Sequence, residues 1–155
     1  MRYLLLDRIT SLEQPDRATG VKCCALSEDY LADHFPGHPV MPGALLLEGL
    51  AQLGGVLVEA SARLRGEGEG HALLLSADKA RFRQLVRPGD RVDLDVHTVQ
   101  QSGTGGRVRG VARVEGAVVA EAELTYALVA VRNPEVIARR AAVLRLWLHG
   151  STEEP

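Results

Sequence analysis

The apolar positions of this chain follow two rhythms, separated by a proline-rich break. From Ala44 to Val58 every residue is apolar or glycine except Glu48 and Gln52. A run of this length, free of proline and rich in Leu and Ala, predicts a helix over about 42–65. It is apolar almost all round, which marks a helix buried on most faces. Glu48 and Gln52 stand one helical turn apart and share a face, and Gly55 and Glu59 continue the same seam.

The second rhythm is that of strands. Residues 3–10 and 17–26 read as two strands around the turn signal Gln14-Pro15-Asp16, the second alternating imperfectly through Ala18, Val21, Cys23 and Ala25. Ser27-Glu28-Asp29-Tyr30 resembles a short capped turn. After the helix, Arg65–Gly70 is a charged, glycine-rich connector. Residues 71–76 and 78–87 then predict two strands, and Arg87-Pro88-Gly89-Asp90 a turn. Val92–Val96 alternates with period two, Val108–Val114 follows the loop Gly103–Gly106, Glu115-Gly116 closes a hairpin, and Val118–Val131 is a last long strand. One long helix followed by antiparallel strands is an α+β arrangement.

The tail returns to the helical rhythm. Asn133-Pro134-Glu135 supplies an N-cap, a proline at the first helical position and an acid in the first turn. Ile137, Ala141, Leu144 and Leu148 form a stripe with Trp147 beside it, so a C-terminal helix should pack on the sheet of its own subunit or on a neighbouring chain. Residues 150–155 should fray. The division is therefore a main domain over 1–131 and a helical extension over 132–155.

Composition narrows the class. With 155 residues, 46% hydrophobic and 25% charged, the chain is an ordinary globular domain with a core. A net charge of −2 gives no reason to expect nucleic acid. No apolar run is taken to reach membrane-span length, and Met1–Asp7 is too soon broken by charge for a signal peptide. Cys23 and Cys24 are adjacent, would point to opposite faces of a strand, and have no metal-type spacing, so a reducing cytoplasm is the simplest compartment.

The chemistry concentrates at the break. In His34-Phe35-Pro36-Gly37-His38-Pro39-Val40-Met41-Pro42-Gly43, prolines at 36, 39 and 42 stiffen a loop that is neither helix interior nor central strand. Pro42 should occupy the first turn of the helix, and Gly43 lets a ligand approach its free backbone N–H groups. A carboxylate such as Glu48 on a buried helix is costly unless it is paired or used. A buried ion pair or inter-helix hydrogen bond is one reading of it. The other is proton abstraction beside a carbonyl, which needs a base or acid (His34), a carboxyl group (Glu48) and an anion-stabilising backbone site (Gly43).

This stretch, with Glu48 and Gln52 beyond it, resembles the signature of the 3-hydroxyacyl-acyl-carrier-protein dehydratases of fatty acid synthesis. Leu4–Arg8, Lys79–Arg83 and Arg87–Asp90 resemble further parts of that family, and the likeness covers about residues 3–130. It implies the hot-dog fold, a curved antiparallel sheet wrapped around a long central helix. It also implies dehydration of a (3R)-3-hydroxyacyl thioester to a trans-2-enoyl thioester. His34 would remove the C2 proton, the Gly43 N–H would bind the thioester oxygen, Glu48 would protonate the departing hydroxyl, and Gln52 would orient Glu48. Phe35 and Met41, with Leu45 and Phe82, would line an acyl tunnel or be plain core. The resemblance implies no metal and no cofactor of the protein's own, the substrate being carried on phosphopantetheine. It implies a homodimer or larger homo-oligomer, with His34 and Glu48 of one site from different subunits. Acyl carrier protein is the expected partner, near Arg81, Arg83 and Arg87. His38 is expected to be structural or exposed, and His71, His97 and His149 show no constellation.

Two features depart from the family. Asp33 stands where glycine is usual, and the chain begins close to the first strand, without most of the family's N-terminal helix. Hot-dog thioesterases and non-catalytic acyl-binding subunits are the rivals; the former usually lack a histidine so spaced, and the latter should have lost His34 or Glu48. An isomerising branch usually carries aspartate at the helix position, where this chain has Glu48.

Overall fold

The computed structural model describes residues 3–67 and 70–149. The expected fraying of 150–155 and the middle of the Arg65–Gly70 connector lie outside them. The elements are β1 (Arg8–Glu13), β2 (Arg17–Cys23), a 3₁₀ turn (Asp29–Leu31), α1 (Gly43–Leu64), β3 (His71–Phe82), β4 (Arg91–Ser102), β5 (Gly105–Val114), β6 (Ala117–Val129) and α2 (Pro134–His149). The strands form one antiparallel sheet in the order β1-β2-β4-β5-β6-β3.

α1 packs against β2, β3, β4, β5 and β6, so the sheet curves around it. Leu50, Leu53 and Leu57 are wholly buried among Val92, Val96, Val108 and Leu124. The strands follow the period-two rule: Val92, Leu94 and Val96 of β4 face the helix, and Asp95 between them forms a two-point hydrogen-bonded pair with Arg17, both contacts at 3.0 Å, on the outer face. The sheet approaches α1 so closely that Gly54 has no room for a Cβ, which would lie 2.6 Å from the Tyr126 hydroxyl. By length and composition α1 is apolar enough to span a bilayer, against the expectation of no membrane-length run; most of it is buried inside the sheet.

Several expectations change in detail. Residues 71–87, read as two strands, are one strand ending at Phe82. Its pairing with β6 slips between Leu74 and Ser76 and between Asp78 and Arg81, with Lys79 at φ 53°. Bulges thus absorb the break in the pattern without ending the ladder. β1 starts at Arg8, and of residues 3–7 only Asp7 reaches β2, its N–H donating to the Val21 carbonyl at 2.9 Å. Leu5 and Leu6 are nonetheless buried, because Gln52 of α1 holds the segment at Tyr3 and Leu5. The Glu115-Gly116 hairpin forms with both residues at positive φ, 50° and 83°.

In α2 the expected cap is present: the Asn133 side chain accepts from the Glu135 N–H at 2.9 Å. The packed face keeps most of the expected stripe: Trp147 is 3% exposed and Leu144 and Leu148 pack with it, joined by Val143, whereas Ile137 is left 41% exposed. Arg140 turns inward to Glu59 of α1, and α2 rests on β1 of its own chain.

Truncation of the most enclosed helix residue measures this core. Leu57→Ala should lower the unfolding free energy by about 3 kcal/mol, read as a shift of the urea midpoint with unchanged m-value.

Candidate active site

The loop before α1 is stiffened by its prolines and braced by hydrogen bonds on either side of them. Lys22, itself 6% exposed, anchors the approach through Glu28 at 2.6 Å and Asp7 at 3.3 Å. Beyond it the Phe35 N–H donates to the His38 carbonyl at 3.1 Å, and the His38 N–H returns to Phe35 at 2.8 Å. The Val40 N–H donates to the His34 carbonyl, and the Met41 N–H to Val86, both at 2.8 Å.

This frame orients the imidazole. His34 Nδ1 lies 2.8 Å from the Val40 carbonyl oxygen. A carbonyl only accepts, so Nδ1 carries the proton and the Nε2 lone pair is left available. The Phe35 ring stacks on the imidazole, with centroids 4.1 Å apart, and is itself 55% exposed. Asp33, before His34, and His38, after it, are exposed.

At the start of α1, Pro42 is the N-cap rather than a first-turn residue, and Gly43 opens the helix. No side chain caps this end, so its first N–H groups are left without a side-chain acceptor at the positive end of the helix dipole. Gly43 lies against Phe82: a Cβ there would sit 2.8 Å from Cδ1 of that ring, which would have to shift.

Five residues into the helix, Glu48 accepts a hydrogen bond from the Gln52 amide at 2.9 Å. The same Nε2 donates to the Tyr3 carbonyl at 3.1 Å, and Gln52 Oε1 accepts from the Leu5 N–H at 2.9 Å. Gln52 thus bonds Glu48 one turn away. It also straps the N-terminal segment to α1, which no sequence signal announced.

Above Glu48 lies a cavity of about 360 Å³, lined by one stripe of α1, by Ala72 and Leu74 of β3, by Tyr126 of β6 and by Val136 and Arg140 of α2. Tyr126 donates to the Ala51 carbonyl at 2.9 Å. Burial, with the Glu48 charge as a lesser cause, pushes its phenol well above the ordinary value, so it stays protonated.

A single copy of the chain does not bring all the expected residues together. Glu48 and Gln52 line the cavity; His34, Phe35 and Met41 do not. Met41 is buried in the core at 3% exposure, and Phe82 stands over Gly43 instead. Arg83 is paired with Glu121, which also receives Arg109 at 3.3 Å. Two histidines read as isolated have carboxylate neighbours: His97 Nε2 lies 3.1 Å from Asp95, and His71 Nδ1 lies 3.8 Å from Glu59. Tyr126 and Arg140 were not singled out beforehand, since each lies in a stretch whose pattern speaks only of strand or helix. No cluster of metal-ligating side chains occurs among the described residues.

Known proteins resemble this chain over most of its length. The model of the FabA-like domain matches residues 1–123. The 3-hydroxyacyl-[acyl-carrier-protein] dehydratase FabZ of Bacillus velezensis is 45% identical over 127 residues, 81% of this chain and 87% of that protein. The FabZ of Bacillus subtilis is 44% identical, with the same coverage of both chains. Among solved structures, the dehydratase heterocomplex ApeI:P from Xenorhabdus doucetiae superposes with a TM-score of 0.67 at 18% identity, covering 90% of this chain and 95% of that one. At that identity it speaks for the fold.

Because Gln52 joins two segments, its loss should be felt in both. Gln52→Leu should cost about 1–3 kcal/mol of stability and speed amide exchange at Leu5, measured by urea titration and hydrogen exchange.

Proposed function

Since this chain belongs to the FabA-like family of 3-hydroxyacyl thioester dehydratases, we propose that His34, Glu48 and the N-terminus of α1 form its reaction centre, shared between two copies of the chain. The reaction is the reversible loss of water from a 3-hydroxyacyl thioester, giving the 2-enoyl thioester; we assign it the (3R) substrate and the trans product.

The observation that carries the assignment is the orientation of His34. With Nδ1–H held by the Val40 carbonyl at 2.8 Å, Nε2 is the atom free to take a proton from C2 of the substrate. As that C–H bond breaks, its electron pair moves toward the thioester carbonyl, whose oxygen gains negative charge. The Gly43 N–H at the uncapped start of α1 is suited to receive that oxygen. The pair then forms the C2–C3 double bond while the C3–O bond breaks, and Glu48 supplies the proton that lets the oxygen leave as water. Gln52 keeps Oε1 of Glu48 occupied at 2.9 Å, which fixes the direction of the carboxyl group. Proton return from His34 to Glu48 resets the site.

Two features support a homodimer. His34 is absent from the lining of the cavity that holds Glu48 within one copy. β3 is an edge strand whose Leu73, Leu75 and Phe82 are 54%, 62% and 53% exposed. A long apolar edge with unpaired backbone groups invites pairing with another strand, and the simplest closed solution is its own copy about a two-fold axis. Pairing of this kind would let His34 of one copy meet Glu48 of the other. The chain would work without a metal or cofactor of its own, on acyl groups carried by the phosphopantetheine of acyl carrier protein, in the cytoplasm. Burial of α1 inside the sheet supports a soluble protein.

The test is hydration of crotonyl and longer enoyl thioesters. His34→Ala and Glu48→Gln should each lower kcat by about a hundredfold or more. Gly43→Ala, which displaces Phe82 and crowds the first N–H, should lower kcat by about tenfold to a hundredfold. Release of free thiol by the wild type, without hydration, would point to a thioesterase instead.

A further inference from the structure

The cavity over Glu48 has a second end, built differently from the first. Its lining follows α1 through Glu48, Gln52, Gly55 and Glu59, spacings that keep all four on one face. At a rise of about 1.5 Å per residue, Glu59 lies about 16 Å along the helix from Glu48. Between them the walls are small or apolar, including Ala51, Ala72 and Leu74.

The far end is ionic. Glu59 is 3% exposed. Its Oε1 accepts from the Ala72 N–H at 3.0 Å and from Arg140 Nη2 at 3.2 Å, with His71 Nδ1 at 3.8 Å. Its Oε2 is buried and receives no hydrogen bond, the nearest cation being Arg63 Nη2 at 3.7 Å. Arg140 is held from behind by Trp147, whose ring centroid lies 5.6 Å from the guanidinium carbon. Arg140 and Val136 both line this end, and both belong to α2, beyond the residues 1–123 that the family model matches.

We infer that α2 closes the acyl cavity, and that the Glu59–Arg140 pair is a polar floor setting the longest acyl chain this enzyme accepts. The inference rests on the dehydratase reading, which puts the acyl chain in the cavity beside Glu48. An alkyl terminus reaching this floor has to displace or strip solvation from a buried ion pair, which is strongly unfavourable. An extended alkyl chain advances about 1.25 Å per carbon, from C–C bonds of about 1.5 Å at tetrahedral angles. The span therefore holds on the order of ten carbons beyond C3.

The experiment compares kcat/KM for crotonyl, octenoyl, dodecenoyl and hexadecenoyl thioesters in the wild type and two variants. In E59Q/R140A the glutamine oxygen keeps its bond to Ala72, no lone charge is buried, and the floor opens. The ratio of hexadecenoyl to octenoyl activity should rise about tenfold or more. Gly55→Val acts the other way: a Cβ at Gly55 fits, 3.6 Å from Ala72 Cβ, and the added methyl groups project into the middle of the cavity. The ratio of dodecenoyl to crotonyl activity should fall about tenfold. A purely structural role for either position would change stability and leave these ratios alone. Unchanged ratios in both variants, with crotonyl still hydrated, overturn the floor and leave the dehydratase reading standing. A wild type that hydrates none of the four overturns both.

Discussion

A helix enclosed by a sheet has almost no water to satisfy its polar side chains, and that constraint governs this molecule. α1 solves it by placing both of its buried carboxyl groups on one seam and giving each a protein partner. Glu48 has Gln52 and Glu59 has Ala72 and Arg140, while Ser61, on another face, donates back to the Leu57 carbonyl at 2.6 Å. The seam is also the floor of the cavity beside β3, β6 and α2. Groups kept for chemistry and groups kept for closure are thus lined up along the same face, one helical turn after another.

The other half of the chemistry is held by a different device. The loop from His34 to Pro42 has few internal degrees of freedom, because prolines fix φ and the remaining donors are bonded within the loop or to Val86. Such a loop positions an imidazole nearly as firmly as a helix would. It then delivers the chain directly into the uncapped N-terminus of α1, so His34 and the Gly43 N–H belong to one stiff segment. Glu48 faces a cavity that His34 does not line within one copy. On the proposed reaction, a site divided in this way would require two chains, and the open, apolar β3 edge offers a surface on which they can meet.

Legibility varied with the range of the interaction. Helix α1, the hairpin at Glu115-Gly116 and the Asn133 cap were readable because each depends on neighbours within a few positions. Residues 71–87 were misread as two strands, since a bulge at Lys79 interrupts the pattern without interrupting the pairing. Gln52 was expected to serve Glu48, one turn away, but its hold on Tyr3 and Leu5 spans almost fifty positions and leaves no local trace. Ile137 fitted the stripe of α2 yet lies largely exposed, while Arg140, outside that stripe, turns inward to Glu59 on a distant helix.

By itself, then, the sequence determined the candidate groups, the stiffness of the approach to them and the class of fold, because periodicity, proline spacing and residue chemistry are local properties. Tertiary structure decided which groups share a cavity, where that cavity ends and which strand is left open at the edge. Those outcomes depend on contacts between positions far apart in the chain, where packing and the pairing of buried charge outweigh local preference.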